Sequence, residues 1–510
     1  MVRMNQMVDG HTTGSSAFRA ELLERARGYT SRTLGVTCLP LLSVAPVVAT
    51  GHQPVWHHCG IWMKTVACSR LAQAVRGTAV QVVLDHDVCH PTMAIPQVRP
   101  DGSWCCRSLS VEQQRRDDPL ERRRPRAQYI EQFLHRVVES NPEQFCNALW
   151  ARPRDADAIR WDRFETIADV IMYLQAILSR ALGLDNLLYL PVSQLSATDA
   201  FLGFVISAFS NAMSFSRYYN DALAGQTHRP GSIRSLAIDS ERGQTELPFW
   251  LTGPNGDRRT LCVRQKAGGG TAMIVGFSEV TRLDAGSTEH KVQQLRDFLA
   301  RAGWTLRPKA VPLTLFLRLY MADWFIYGVG GATYEPITDH LIRHYFGMRP
   351  APYGVMTYTA VLPRCLSLSR RERDLSQLRH RLHHAEHNPE LYLGDAGHRN
   401  DRAKLLIEAK KRQIIRASDR TRTASQRKAA WKLIARINRC LRVHAAQEIR
   451  DLSQQIVQAQ KERDSRAVRG SREYFFGLFP EWRLRRMVDA VAFSRSATPR
   501  EAAPTFGEAC

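Results

Sequence analysis

The sequence lacks an apolar run suited to crossing a membrane, and none of its cysteines forms a CxxC pair. Residues 39–49 are too few to span a bilayer, and residues 311–332 are interrupted by Arg318 and Asp323. The N-terminal residues are polar and charged through Arg32, which predicts that no signal peptide is present. Because the 11 cysteines follow no disulfide pattern, we expect reduced thiols, no membrane partner and a cytoplasmic location.

Acidic residues are scarce relative to basic ones: 49 Asp and Glu stand against 71 Lys and Arg, which gives a formal net charge of +22. Such a balance predicts nonspecific affinity for polyanions at low salt. The arginines are spread along the chain, however, and the densest runs, at 122–126 and 370–381, fit a linker and a solvated helix face. We therefore do not expect a specific nucleic-acid interface.

Apolar, β-branched runs separated by a helical pattern predict an α/β fold. Residues 44–49 predict a buried strand, residues 60–74 a helix, and residues 79–84 a second strand. This succession is the repeating unit of a parallel sheet, so we expect a Rossmann-like parallel-sheet core. Further strands are predicted at 187–191, 246–252 and 260–264, and a further helix at 199–223.

The composition and the spacing of apolar residues change along the chain, and these changes predict three parts. They are an α/β core at 1–365, a long inserted helical hairpin or coiled coil at 366–470, and a C-terminal segment at 471–510 that returns to the core. Within the core we expect a polar N-terminal arm with a short helix at 17–27 and an arginine-rich surface insertion at 99–128. The aromatic residues at 473–479 predict a strand that joins the core.

The first candidate site follows the first predicted strand directly. Thr50, Gly51, His52 and Gln53 lie between that strand and the next helix, where ligands bind in open α/β sheets. Backbone N–H groups at such a loop hold anions, and Gly51 permits a close approach. His52 is suited to donate to a phosphate or to shuttle a proton. A turn with an exposed histidine is the alternative interpretation.

The second candidate site is Asp85-His86-Asp87, which ends the next predicted strand. We expect it to emerge at the same sheet edge as the first loop, in one cleft with His52. Two carboxylates beside an imidazole can orient the ring, bind Mg²⁺ or hold a substrate amine. Nearby histidines and cysteines (His57, His58, Cys59, Cys89 and His90) offer zinc ligands, but their spacing favours ordinary loop residues, and we predict no metal site.

The third candidate site is a glycine-rich segment after a predicted strand at 324–327. Gly330 and Gly331 precede a predicted helix that starts near Tyr334. Small residues at a helix N-terminus suit a carboxylate or a phosphate, so we predict anion binding there. Close packing of the two glycines against a neighbouring element explains the pattern equally well.

Taken in order, these motifs resemble a known family. The segment VVATGHQPVWHHCG at 47–60, followed one helix later by VVLDHD at 82–87, resembles the bacillithiol biosynthesis cysteine-adding enzymes. Those enzymes carry a TGHQ or TGQQ loop after the first core strand and an EDHD motif after the next. The glycine segment at 328–334 and the helical insertion at 366–470 are placed as in that family.

The resemblance implies a nucleotide-fold-like core, a coiled-coil arm used in dimerisation, and an enzyme that attaches cysteine to the amine of a glucosaminyl-malate. Carried over by position, residues 50–53 match the first family loop and residues 85–87 match the second. Leu84 stands where the family has an acidic residue. Residues 55–59 replace the family's glycine-rich continuation, which predicts a more crowded pocket in this chain.

Our leading hypothesis is a ligase that forms a C–N bond between a carboxylate-bearing small molecule, cysteine in the family case, and an amine of a sugar-type acceptor. His52 and His86 would position or shuttle protons, and Asp85 and Asp87 would hold an ammonium or a metal. The alternatives are a nucleotidyltransferase-like enzyme and a noncatalytic coiled-coil assembly or nucleic-acid-binding protein. The residues leave the cofactor open between ATP, another nucleotide and a divalent metal. We expect a homodimer formed through the helical arm.

Overall fold

The computed structural model describes residues 11–38, 45–113, 117–140, 160–226, 233–362 and 374–493. The chain divides into two units. The first unit comprises Met1–Ile95, Ser108–Ala360 and Arg472–Cys510, and the second comprises Pro96–Arg107 and Val361–Ser471. The three candidate sites predicted from the sequence, at 50–53, 85–87 and 330–334, all belong to the first unit.

Among the described residues, 13 strands form three sheets. In chain order they are β1 (Val47–His52), β2 (Thr78–Val83), β3 (Thr92–Val98), β4 (Trp104–Ser110), β5 (Leu187–Pro191), β6 (Ile238–Asp239), β7 (Gln244–Thr252), β8 (Arg258–Gln265), β9 (Thr271–Val275), β10 (Ser278–Leu283), β11 (Thr305–Pro308), β12 (Trp324–Tyr327) and β13 (Tyr353–Val355). The first sheet has the order β13-β12-β1-β2-β5, and all its neighbouring strands are parallel. The second sheet is antiparallel, in the order β10-β9-β8-β7-β11 with β6 beside β7, and β3 pairs with β4. The prediction of an α/β fold with a parallel sheet is confirmed.

Strand β1 is paired along both edges, and its position determines where the first two candidate sites lie. It runs in register with β2, from Val47 opposite Thr78 to His52 opposite Val83, and its other edge pairs with β12. The apolar residues at its start are fully buried, as expected for a parallel strand that is covered on both faces. Because parallel neighbours end at the same edge, the segments that follow β1, β2 and β12 emerge side by side.

The helices described by the structure pack on these sheets or form the second unit. In chain order they are α1 (His11–Leu34), α2 (Cys59–Ala74), α3 (Ala127–Ser140), α4 (Ile167–Ala181), α5 (Val192–Leu195), α6 (Asp199–Ser210), α7 (Ala212–Ala224), α8 (Thr288–Ala302), α9 (Ala310–Tyr320), α10 (Val329–Ala332), α11 (Glu335–His344), α12 (Leu375–His387), α13 (Asp395–Arg399), α14 (Asp401–Ser418), α15 (Ala424–His444), α16 (Ala446–Arg469) and α17 (Glu481–Asp489). The helix predicted at 199–223 is interrupted at Asn211. In the core of the first unit, Phe201 and Phe204 of α6 contact the rings of Phe249 in β7 and Phe316 in α9. These rings join the antiparallel sheet to the helices that cover the parallel sheet.

The described part of the second unit, apart from the tip of the β3–β4 pair, is helical. Apolar residues of α12 pack on α16, where Leu375, Leu378 and Ala385 meet Leu452 and Ala459. Helices α14 and α15 are joined by residues 419–423 and pack along each other as a hairpin. The helical character predicted for this stretch is therefore present, whereas a coiled coil remains a prediction.

The N-terminal segment differs from the polar arm that we expected. Helix α1 is much longer than the predicted 17–27, and Leu22, Leu23 and Ala26 are buried in the core. The hydroxyl of Thr30 in α1 accepts a hydrogen bond from the backbone N–H of Tyr189 in β5 at 2.8 Å. A helix was correctly expected here, but the prediction of a polar arm was wrong because α1 covers the edge strand of the parallel sheet.

The predicted surface insertion at 99–128 is exposed only in part. Leu120 and Arg123 are fully buried. The guanidinium of Arg123 lies 3.0 Å from the Glu112 carboxylate and donates through Nε to the carbonyl of Asp118 at 2.8 Å. A solvated arginine run was the wrong prediction for this residue, since the partly buried Glu112 carboxylate and the Asp118 carbonyl satisfy its charge and its donors.

The aromatic C-terminal segment is buried but is not the strand that we predicted. Tyr474, Phe475, Phe476 and Phe479 are buried, and Phe476 stacks on Trp62 with ring centroids 4.6 Å apart. One isolated antiparallel bridge joins Phe475 to His58, and a 3₁₀ turn follows at once. The segment is therefore held by ring packing and not by a ladder of backbone hydrogen bonds.

An ion pair is buried behind the glycine segment. The Arg318 guanidinium lies 2.6 Å from Glu335 and 2.7 Å from Asp339, and the side chains of Arg318 and Glu335 are 1% and 0% exposed. Burial raises the pKa of Glu335 to about 7, and the nearby Arg318 opposes that rise. This pair fixes the start of α11 to α9.

We expect Arg318→Met to lower the free energy of unfolding by about 3–5 kcal/mol, because it leaves the buried Glu335 carboxyl without its cation. The matched control is Arg259→Ala, which removes an exposed pair with Asp257 (56% and 64% exposed) and should cost no more than about 1 kcal/mol. Urea denaturation followed by circular dichroism measures both changes. Equal losses in the two variants would contradict a structural role for the buried pair.

Candidate functional site

A cavity of about 370 Å³ lies at the carboxyl ends of β1 and β12 in the first unit. This volume is within the range of small-molecule sites. Its polar wall is formed by the end of β1, by the first turns of α2, by the glycine segment after β12 and by the start of the C-terminal segment. These wall residues are Gly51, His52, Gln53, His58, Gly60, Lys64, Tyr327, Gly328, Gly330, Gly331, Tyr334 and Arg472.

The charged groups of this wall have one sign. Lys64 and Arg472 line the cavity, and no Asp or Glu is among the described residues that line it. Arg472 is the more exposed of the two cations and pairs with its neighbour Glu473 at 3.1 Å. A cavity with buried positive charge and no facing carboxylate favours an anionic ligand.

Lys64 is the most unusual residue of the wall. Its ammonium donates to the carbonyl of Gly51 at 2.9 Å, the side chain is buried, and no ion pair to it is found in the described part of the chain. Burial lowers the pKa of Lys64 to about 8. Its charge is therefore held at a cost in folding free energy, and a bound anion would reduce that cost.

His52 lies at the end of β1 and faces the cavity beside Lys64. Its Nδ1 is 3.2 Å from the carbonyl of Gln53. Because a carbonyl can only accept a hydrogen bond, Nδ1 carries the hydrogen and Nε2 is the free acceptor. Burial, and then the charge of Lys64, hold the pKa of His52 well below its usual range. The ring is thus neutral at pH 7, and its Nε2 carries a lone pair.

The ring of His57 packs against the ring of His52. The two rings make an edge-to-face contact with centroids 5.0 Å apart, and Nε2 of His57 lies 3.0 Å from the carbonyl of Gln53. Burial lowers the pKa of His57 to about 3. His58 caps helix α2, where its Nδ1 accepts from the Gly60 N–H at 3.0 Å. Its side chain forms part of the wall.

The glycine segment keeps one side of the cavity open. A Cβ at Gly330 would meet no atom within 4 Å, whereas a Cβ at Gly331 would lie 3.2 Å from the ring of Tyr327. Gly330, Gly331 and Tyr334 all line the cavity. Helix α10 is a single turn, and the N-terminus of the longer helix α11 already carries the acidic Glu335, so neither helix start offers the anion site that we expected.

The second predicted motif is divided between two environments. Asp87 accepts a hydrogen bond from Nε2 of Gln53 at 3.0 Å and lies 3.5 Å from Arg258, so it reaches the cavity only through Gln53. The side chains of Asp85 and His86 are buried and are not among the cavity residues. The expectation that they share one cleft with His52 is not met.

Contacts from a distant segment explain this placement. The backbone N–H of Glu121 donates to the carbonyl of Asp85 at 2.8 Å, and the Asp85 carboxyl accepts from Ser193 N–H at 3.0 Å. Burial, and then the charge of Glu121, raise the pKa of Asp85 to about 7. Burial likewise lowers the pKa of His86 to about 4. The Asp85 carboxyl thus binds the chain after β5, the backbone carbonyl of His86 accepts from Arg258, and neither side chain lines the cavity.

Three further sequence predictions concern the first loop. The hydroxyl of Thr50 donates to the carbonyl of Ile326 at 2.8 Å, so this residue joins β1 to β12 and does not line the cavity. Residues 55–59 do not crowd the pocket through Trp56, whose ring stacks on Phe133 at 4.9 Å and lies edge-on to Phe475. Among the described residues, the histidines and cysteines at 57–59 and 89–90 do not converge as metal ligands.

Sequence reasoning missed Lys64 and Arg472. Lys64 could have been identified from the sequence, because it is the one charged residue in the apolar run from Ile61 to Cys68. A lysine is rarely buried in such a helix without a specific role. No sequence pattern identifies Arg472 as a wall residue, because it is distant in sequence from every other residue of the wall.

No protein-family model matches the chain, and no curated protein matches it significantly. Within the described residues, no helix combines the length and the apolar character that a membrane span requires.

The buried ammonium of Lys64 makes stability depend on pH. The unfolded chain keeps the Lys64 proton up to the ordinary pKa of 10.5, and the folded chain releases it near pH 8. Between these values the unfolded state binds more protons, so the contribution of Lys64 to stability rises with pH by up to about 3 kcal/mol. We expect Lys64→Met to remove this rise in denaturation curves recorded from pH 7 to pH 10.5.

The control for this measurement is Lys291→Met, which changes a lysine of the first unit outside the cavity wall. The difference in unfolding free energy between this variant and the wild type should stay constant over the same pH window. Parallel curves for Lys64→Met and the wild type would show that Lys64 is not buried as an ammonium.

Proposed function

We propose that the chain is an enzyme that binds a carboxylate-bearing small molecule in this cavity and joins it to an amine. The observation that carries the proposal is the pair formed by the buried Lys64 and the neutral His52, which lie together at the end of β1. Lys64 supplies a positive charge that no carboxylate of the described residues neutralises, and His52 supplies a proton acceptor. Anion binding next to a neutral base is what amide formation from a carboxylate and an ammonium group requires.

The proposed chemistry assigns one role to each group. Lys64 and Arg472 bind the carboxylate, with the open side at Gly330 and Gly331 admitting the rest of the molecule. His52 takes a proton from the ammonium of the acceptor, and the resulting amine attacks the carboxyl carbon. A free carboxylate must first be activated, and we propose ATP as the donor. The C–N bond then forms while phosphate or AMP leaves with the electrons of the C–O bond.

The donor groups of the wall bear on the choice between cofactors. Mg²⁺ prefers carboxylate oxygens, whereas the described wall offers imidazole, amide, ammonium and guanidinium groups. These residues do not fit a resident Mg²⁺, so no step of the proposal uses a metal held by the protein.

The sequence resemblance narrows the substrates. It implies cysteine as the carboxylate-bearing partner and a glucosaminyl-malate as the amine, and the malate part adds carboxylates that suit a cationic wall. In this proposal Asp87 acts through Gln53, whose amide it orients at 3.0 Å. Asp85 and His86 shape the turn after β2.

We expect the wild-type protein to form a cysteinyl amide when it is incubated with ATP, magnesium, cysteine and glucosaminyl-malate, with the product measured by mass spectrometry. His52→Ala should lower the rate by roughly 100-fold or more, because general-base catalysis typically contributes that much. Gly330→Val should raise the KM for the substrates at least tenfold, because its side chain enters the open cavity.

The matched control for the steric variant is Gly203→Val. A Cβ at Gly203, in α6, also meets no atom within 4 Å, and this glycine does not line the cavity. Absence of any amide product with wild-type protein would contradict the proposal. An unchanged rate in a folded His52→Ala variant would remove His52 from it.

We also propose that the helical arm mediates a homodimer. In the described part of the arm, Leu405, Ile415, Trp431 and Val443 are 70%, 71%, 57% and 73% exposed. Apolar side chains of this size on solvent-facing helices favour association.

We expect size-exclusion chromatography with light scattering to give a dimer mass for the wild type and a monomer mass for the Ile415→Ser/Trp431→Ser double variant. Lys428→Ser, an exposed change on the same helix as Trp431, should leave the dimer intact. A monomeric wild type would contradict the proposal.

A further inference from the structure

Helix α12 of the second unit carries a histidine-rich turn outside the cavity. Its last residues include His383, Glu386 and His387, whose ligand atoms all lie within 4.8 Å of one another. The spacing of three and four residues places the three side chains on one face of the helix. Imidazole and carboxylate groups that converge in this way are typical ligands of zinc-class metals.

The ring of His387 is already oriented for a metal. Its Nδ1 lies 2.9 Å from the carbonyl of His383, and a carbonyl can only accept, so this nitrogen carries the proton. The Nε2 lone pair is then free. Metal-binding histidines usually have their second nitrogen bound to such an acceptor, which fixes the ring.

The other two ligand groups are available. The rings of His383 and His387 have centroids 4.2 Å apart. No hydrogen bond or ion pair to the Glu386 carboxylate is found among the described residues. Both imidazoles are exposed, so an ion can reach them without any movement of the helix.

The backbone beneath these ligands is fixed by neighbouring helices. Lys410 in α14 and Asn438 in α15 donate to the carbonyl of His387 at 2.9 and 2.8 Å. Arg442 in α15 donates to the carbonyl of Glu386 at 2.8 Å. The turn is therefore held from three positions, and a rigid turn favours metal binding because little ordering is needed.

We propose that His383, Glu386 and His387 bind one divalent transition-metal ion of the zinc class, with water at the remaining position. Two imidazoles and one carboxylate match the ligand preference of Zn²⁺ and Co²⁺ and not that of Ca²⁺ or Mg²⁺. The spacing His-x-x-Glu-His also occurs in a class of zinc peptidases. Here Glu386 converges with the two histidines as a third ligand, so the geometry favours binding and not hydrolysis.

A neighbouring histidine on the same helix provides the matched control. His380 is exposed on α12 and is not part of the converging group. His384 is engaged elsewhere, since its Nδ1 lies 3.1 Å from the hydroxyl of Tyr392. His380→Ala thus changes the same residue type on the same helix without removing a proposed ligand.

The test is calorimetric titration of the full-length, reduced protein with Zn²⁺, together with Co²⁺ absorption spectra. We expect His383→Ala and His387→Ala each to weaken the site at least tenfold, and His380→Ala to leave it unchanged. The Co²⁺ spectrum of this site should lack a thiolate-to-cobalt charge-transfer band, which separates it from binding to cysteines. Circular dichroism should be the same for all variants, because the replaced rings are exposed.

Two outcomes would overturn the proposal. One is equal Zn²⁺ affinity and stoichiometry in the wild type and in a His383→Ala/His387→Ala double variant. The other is an equal loss of affinity in His380→Ala, which would indicate diffuse binding along a histidine-rich surface. Neither outcome concerns the cavity of the first unit, so the proposed metal site and the proposed ligase activity are tested independently.

Discussion

The ammonium of Lys64 lies inside the wall of the cavity, where its one described acceptor is the carbonyl of Gly51. Burying a cation without a carboxylate opposes folding, as the lowered pKa of this group shows. A purely structural position would be filled at lower cost by an apolar side chain of similar length, and the neighbouring residues of α2 are mostly apolar. Such a cost persists where function needs the charge. The anionic preference of the cavity follows from this group, and its charge adds to the effect of burial that keeps His52 neutral.

The parallel sheet could be predicted because short runs of the sequence indicate its individual strands. The β-branched runs at 44–49 and 79–84 and the apolar run at 187–191 correspond to β1, β2 and β5, and the helix between the first two fixes their parallel direction. Once the strands are parallel, the loops after β1 and β12 must meet at one edge. Gly51, His52, Gln53 and the glycine segment were therefore found from sequence by the same argument that gave the sheet.

The other site residues depend on contacts that no local pattern encodes. Asp85 and His86 follow β2 as predicted, yet residues 120–121 bind the backbone of this turn and cover it. Arg123 is buried for a similar reason, because its partners Glu112 and Asp118 return to the core with it. Hydrophobic periodicity indicates which face of a helix is buried. It does not indicate which distant segment will satisfy a polar group that is buried with it.

The charge of the cavity also determines where protons lie when a ligand binds. An anion beside Lys64 stabilises the ammonium, which raises its pKa from about 8 toward the ordinary value. The same anion offsets the charge of Lys64 at His52, where that charge is the second cause of the lowered pKa after burial, so a bound anion makes the imidazole a better proton acceptor. An amine that enters as its ammonium form can then give its proton to His52 and not to Lys64, which is already protonated. Recognition of the anion and selection of the base are in this way consequences of the same buried charge.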